Sequence, residues 1–368
     1  MAENIPKQDC GSSDSPLLCV VLITPDSLDT LSTTLQHLQA QTIAGSLEIM
    51  IVAPSSCMMG LPREIAQTFA RVEIVGLREI SSLGRAYAAG IERATAPLVA
   101  FGEDHSFPHF DWAERLVRAH REPWAGVGPL IRNANPESVI AVADFLIAYG
   151  PWSEPAQSAE VEHLPGHNCC YKRSLLLEYG SSLADMLEAE SVLHWDLRRS
   201  GHRLYLESAA RTSHVNFSNF WSWLAAQYYW GRIFGAFRAG NENWSPARRA
   251  WFAVAGPLIP LVRLCRIMQW YSQPAAQKTN LVPFLFPALC VGLAFDGLGQ
   301  MIGYSLGVGS ALRKGFAFEF HRERHLCRND RHNPRNQRDS VLAGVTGVET
   351  VRGACTDRAS AVGDQNVA

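Results

Sequence analysis

The chain has 368 residues, 47% hydrophobic and 18% charged, with a formal net charge of −2. This composition supports a sizeable core and more than one folding unit, and it excludes a disordered chain. The near-neutral balance leaves no footprint for a polyanion and no nucleic-acid motif is present, so nucleic acid is not expected as a partner.

Nine cysteines are scattered along the chain and lack the C-x2-C spacing of a zinc or redox site. Reduced thiols in a cytosolic compartment are the simplest reading. Residues 1–16, MAENIPKQDCGSSDSP, are polar and show no apolar stretch of signal-peptide length. They are expected to be a disordered N-terminus.

From residue 17 short apolar runs alternate with segments of helical period. LLCVVLI (17–23) reads as a strand, and Leu28, Leu31, Leu35 and Leu38 follow at helical spacing. LEIMIVA (47–53), VEIV (72–75) and PLVAFG (97–102) read as further strands, with helical PREIAQTFA and GRAYAAGIERA between them. Four strands alternating with helices predict a parallel, doubly wound sheet. Right-handed crossovers then bring the strand C-termini to one edge, where open α/β sheets bind ligands. That edge collects 24–27, 53–56, the loop 76–85, and Glu103, Asp104 and His105. DWAERLVRAH is read as a helix, AGVGPLI as a strand, 132–163 as a loop-rich excursion, 164–180 as strand into helix, and 187–201 as a helix stopped by Gly201.

Composition changes after about residue 216. FSNFWSWLAAQYYWGRIFGAF (217–237) is crowded with aromatic rings, and two long apolar segments follow at 250–271 and 281–310. The second is long enough to span a bilayer, although Asp296 and Gln300 are costly there unless they face protein or water. The first carries Arg263, Arg266, Pro257 and Pro260, and suits an interfacial or re-entrant helix better than a simple span. The boundaries expected are therefore 17–216, 217–310 as a helical membrane-associated region, and 311–368 as a basic, then disordered tail. The alternative for 217–310 is a soluble helical subdomain.

Six fragments, in order, resemble the family 2 glycosyltransferases. They are the helix ending LQAQT, the strand ending VAPSS, the loop SSLGRAYAAGIERATAP, then AFGEDHSFPHFDW, GHNCCYKRSLLLEYG and AESVLHWDLRRSGHRLYLESAARTSH. The resemblance covers about residues 17 to 215. It implies a GT-A-like doubly wound mixed sheet with a Rossmann-like nucleotide-binding half, followed by the helical, apolar C-terminal region.

The same resemblance implies sugar transfer from a nucleotide-diphosphate donor, usually with inversion and with a divalent cation on the diphosphate. Where the family has D-x-D this chain has Glu103-Asp104-His105, so Glu103 and His105 become metal-ligand candidates and Asp104 a cofactor-binding one. An imidazole suits Mn²⁺ better than Mg²⁺, so manganese is favoured. His214 matches the histidine that ends the family pattern and is the third metal candidate. Glu190 matches the family's catalytic carboxylate and is expected to be the base, with Glu188 second. At the family's VDDGS position stand Ser55 and Ser56, which lack a carboxylate for the base or ribose. Ser55, Ser56, Arg85 and Asn168 complete the candidate donor and acceptor contacts.

The expected activity is transfer of a sugar to a lipid or glycan acceptor at the cytoplasmic face of a membrane, with polysaccharide biosynthesis as a setting. The basic cluster at 313–331 and a cytoplasmic donor then require a hairpin or shallow embedding rather than one crossing. The alternative is a degenerate, catalytically weak member acting as a membrane-bound nucleotide-sugar-binding scaffold. A nucleotidyltransferase ranks low, because TPDSLDTL offers no glycine-rich, lysine-bearing phosphate loop.

Overall fold

The computed structural model describes residues 15–55, 63–272 and 282–331. Ser56, nearly all of the N-terminal segment, and the tail beyond 331 lie outside the described residues. The nucleotide-binding half opens with β1 (Leu18–Ile23), α1 (Ser32–Gln39), β2 (Leu47–Pro54), α2 (Arg63–Ala66), β3 (Arg71–Leu77), α3 (Leu83–Arg93) and β4 (Leu98–Phe101). β1 and β2 are buried along their whole length, as strands covered by helices on both faces must be. They pair in parallel with Leu18 opposite Leu47, and β1 pairs in parallel with β4 on its other side. The four-strand parallel unit expected from the apolar periodicity is thus present.

The second half continues with β5 (Ser106–Pro108), α4 (Trp112–Ala119), β6 (Gly126–Asn133), α5 (Val139–Tyr149), β7 (Ala159–Val161), β8 (Cys170–Lys172), α6 (Arg173–Leu177), α7 (Leu183–Leu187), α8 (Glu190–Arg199) and β9 (Leu204–His214). All strands join one sheet in the order β3-β2-β1-β4-β8-β6-β9-β5, with β7 on β9. β8 runs antiparallel to both β4 and β6, so the sheet is mixed. The stretch read as a loop-rich excursion contains α5, which is buried nearly all round. A helix that is apolar on every face lacks the period that marks a surface helix, so it escapes that test.

The C-terminal region comprises α9 (Phe220–Asn241), α10 (Pro246–Val254), α11 (Leu258–Tyr271), α12 (Val282–Leu306), α13 (Ala311–Phe316) and α14 (Arg328–Arg331). α9 and α12 pack backbone to backbone along a glycine seam. A Cβ on Gly231 would collide with the Asp296 carbonyl, and one on Gly303 with the Arg232 carbonyl. α10 and α11 are bent by 63° at the break that holds Gly256 and Pro257. Among the described residues one helix, Pro283–Leu306, is long and apolar enough to cross a membrane, and half of it is buried within the protein. Its polar residues face protein: Asp296 pairs with Arg263, Gln300 donates to Asp296 at 2.9 Å, and Tyr304 donates to Gln300 at 3.0 Å.

Residues 311–331, set apart by composition as part of a tail, fold back across the sheet edge. Phe320 joins the core that contains Tyr87, Phe101 and Tyr171.

Candidate active site

β4 ends at Phe101, and the chain beyond it turns so that Glu103 bridges back to Ser106. This hairpin-like turn buries Glu103 and His105 at the sheet edge. Glu103 Oε2 has no hydrogen-bond partner among the described residues and lies 3.7 Å from both His105 Nε2 and His214 Nε2. β9 delivers His214, pairing it with Ser106, and His214 Nδ1 is held by Asn216 at 3.0 Å. The other oxygen, Glu103 Oε1, lies 2.9 Å from His167 Nδ1.

The charges here are strongly coupled. Burial alone would raise the Glu103 carboxyl, but His167, His105 and His214 outweigh it and hold it well below the usual carboxylate range. Burial would lower His167, yet Glu103 and Glu190 pull it up to about 10, so it is a cation at neutral pH. Burial, with His105 beside it, keeps His214 well below an ordinary imidazole. A neutral His214 and an ionised Glu103 are the states that bind metals.

The folded-back segment closes this edge. The backbone N–H of His321 donates to Asp104 Oδ2 at 3.0 Å, and its imidazole meets Asp26 at 2.7 Å. Asp104 Oδ1 takes the Nδ1 hydrogen of His105 at 2.6 Å, which leaves the Nε2 lone pair to accept from Arg322 Nη2 at 2.6 Å. Arg322 is buried, its guanidinium stacks 3.9 Å over Phe217, and its Nε and Nη1 have no hydrogen-bond partner among the described residues. Glu319, beside it, is raised by burial, with His167 opposing.

On the other side of the cleft stand Glu188, at the end of α7, and Glu190, at the start of α8. Glu190 is the first residue of α8, preceded by extended Ala189, and its Oε1 lies 3.9 Å from His167 Nδ1. Gly166, at φ +88°, turns the chain beneath it, and a Cβ there would touch the Glu190 carboxyl. Glu188 accepts from the Ser82 hydroxyl, which also caps α3 by accepting from Arg85 N. Burial, the leading influence, raises the Glu188 carboxyl. Glu103, His167, Glu188, Glu190, His214, Glu319 and Arg322 all line one cavity of about 840 Å³.

The family model for glycosyl transferase family 2 matches residues 19–180. These residues carry that family's sequence pattern, and the match spans less than half of the 368-residue chain. The crystal structure of S. aureus TarS is similar over 79% of this chain and 55% of that one, at 13% identity and a TM-score of 0.42, so the chain spans about half the length of TarS. No curated protein sequence matches it.

The remaining site candidates, Ser55, Arg85 and Asn168, fall away from this cavity. Ser55 is exposed and donates its hydroxyl to Leu77 O at 3.0 Å, the behaviour of a turn residue. Arg85 is exposed in the first turn of α3. Asn168 is buried at φ +57°, with its amide on Ser106 Oγ at 2.6 Å, so it braces the β4 turn rather than facing an acceptor. Trp112 is fully buried behind the sheet, while Trp152 lines the cavity.

Three groups of the candidate site were not singled out from sequence: His167, Glu319 and Arg322. His167 occupies the free position of the GHN turn, which motif comparison passes over. Glu319 and Arg322 lie more than 200 residues after β4 and belong to a stretch set apart as tail. The available signal was FAFEF, in which Phe316, Phe318 and Phe320 alternate as they do when a segment is half-buried.

Proposed function

We propose that this protein is a glycosyltransferase that moves a sugar from a nucleotide-diphosphate donor to a lipid or glycan acceptor at the cytoplasmic face of a membrane, with inversion at the anomeric carbon. The observation that carries the reading is that Glu103 and Glu190, from distant parts of the chain, open onto one cavity with the His167 cation between them. An acceptor hydroxyl attacks the anomeric carbon as its bond to the diphosphate oxygen breaks. Glu190 takes the hydroxyl proton, and the diphosphate leaves with the bonding pair. Glu188, tied to Ser82, is the second choice of base.

Glu103, His105 and His214 fit a divalent cation: their ligand atoms all lie within 4.8 Å of one another, and the orphaned Glu103 Oε2 sits among them. Such an ion would neutralise the diphosphate, and two imidazoles favour Mn²⁺ over Mg²⁺. Membrane proximity is supported by the apolar helix Pro283–Leu306, with its exposed Phe284, and by exposed Trp221 on α9 and Trp251 on α10. The basic residues Arg313, Lys314 and Arg324 are exposed, consistent with a cytoplasmic placement in the growth of a surface glycan or glycolipid.

The alternative, a weakly catalytic nucleotide-sugar-binding scaffold, draws on Arg322 occupying the His105 lone pair. A thermal-shift screen of nucleotide sugars with and without Mn²⁺, followed by a transfer assay on each hit, separates the two. Binding without turnover supports the scaffold. Turnover abolished by Glu190→Gln supports transfer.

A further inference from the structure

The cavity does not stop at the catalytic carboxylates. Beyond Trp152 and Trp230 it continues between α9, α10, α11 and α12, where Phe234, Phe252, Ile259 and Val262 line it. At the far end Leu258 and Val262 are 60% and 50% exposed although they line the cavity, so the channel opens on the surface there. Exposed Trp251, Val254 and Leu261 belong to the same two helices. One continuous space therefore bears carboxylates at one end, runs past apolar walls that also carry Arg238, Arg263, Arg266, Asp296 and Gln300, and reaches exposed apolar residues of α10 and α11 at the other.

We infer that the acceptor is a lipid, with its hydroxyl-bearing head at Glu190 and its hydrocarbon chain in the channel between α10, α11 and α12. This rests on the transfer reading above and names its substrate class. Arg263, Asp296, Gln300 and Tyr304 also line this part of the cavity but already bond to one another, so a glycan there would set most of its hydroxyls against Phe252, Ile259 and Val262, which costs more than leaving them in water. A hydrocarbon chain gains from the same walls. The exposed apolar mouth lets the chain enter from a bilayer without crossing water. A cavity of about 840 Å³ is at the large end of small-molecule sites, as an amphiphile longer than a sugar requires.

The test uses the full chain in phosphatidylcholine nanodiscs and a 16-carbon alcohol with a diazirine at its chain end, with labelled sites mapped by peptide mass spectrometry. The expected result is label on Phe234, Phe252 or Tyr304, displaced by unlabelled alcohols whose potency rises about fourfold per added methylene. Ile259→Trp fills the channel and abolishes that label, while the melting-temperature rise with nucleoside diphosphates stays as in wild type. Should Ile259→Trp fail to fold, Val262→Trp at the mouth serves with the same expectation. Label confined to Trp251, Val254 and Leu261, and indifferent to both substitutions, overturns the inference, because it reports ordinary bilayer contact. If the channel is labelled but no nucleoside diphosphate binds the wild type, the lipid site stands and the transfer reading fails.

Discussion

The Arg322 guanidinium meets the His105 imidazole at 2.6 Å, Nη2 to Nε2, across 217 positions of sequence. The lone pair that would ligate a metal is thus already engaged by a side-chain cation, so Arg322 and a divalent ion are alternatives at His105. Replacing Arg322 by Ala frees the imidazole and removes a like charge, which at a few ångströms is worth enough to raise Mn²⁺ affinity at least about tenfold. Titration calorimetry with Mn²⁺ alone checks this. Unchanged affinity would mean that the ion binds without His105.

Glu190→Gln keeps the side chain's shape but removes the base. We expect turnover to fall by about 10²- to 10⁴-fold, with donor affinity within a factor of about three of wild type. Glu188→Gln should do less, because its carboxylate is engaged by Ser82. Full turnover in Glu190→Gln would take that residue out of the chemistry.

Asp144, on the same cavity wall, gives a pH signature of its own. Burial raises its carboxyl to about 6, with Arg322, Phe217 N–H and Gln227 opposing. A carboxyl whose folded value lies above its unfolded one holds its proton more tightly when folded, so its contribution is complete below about pH 4 and is lost as pH rises through 6. Wild-type stability minus that of Asp144→Asn should therefore fall by about 3 kcal/mol between pH 4 and pH 7. Parallel melting curves across that range would remove Asp144 from the account.

Gly231→Val should separate α9 from α12, because its side chain would run into the Asp296 carbonyl. The expected loss is about 3 kcal/mol or more, with a lowered melting temperature. Val at Gly240, which has open space around it, should be neutral or gain about 0.5 kcal/mol or less, because valine is a better helix former than glycine. Equal losses at the two positions would deny the close seam.

The sheet was legible because β1 to β4 are buried apolar runs divided by helices of regular period, and both signals are local. Glu103, His105, Glu190 and His214 were legible through the order of motifs, each of which marks the end of a strand or the start of a helix. α5 was not, since burial on every face erases the periodicity that distinguishes a helix. Arg322 and Glu319 were hidden for another reason. Their roles arise from a contact between segments some 217 residues apart, and composition alone grouped them with exposed basic neighbours such as Arg313 and Arg324.

Because His321 and Arg322 reach Asp26, Asp104 and His105 only after α9 to α12 have been laid down, the cleft is finished last during synthesis. A ribosome that has released the whole sheet still carries an incomplete site, because its edge is closed only when residues 321 and 322 have folded back onto Asp26, Asp104 and His105.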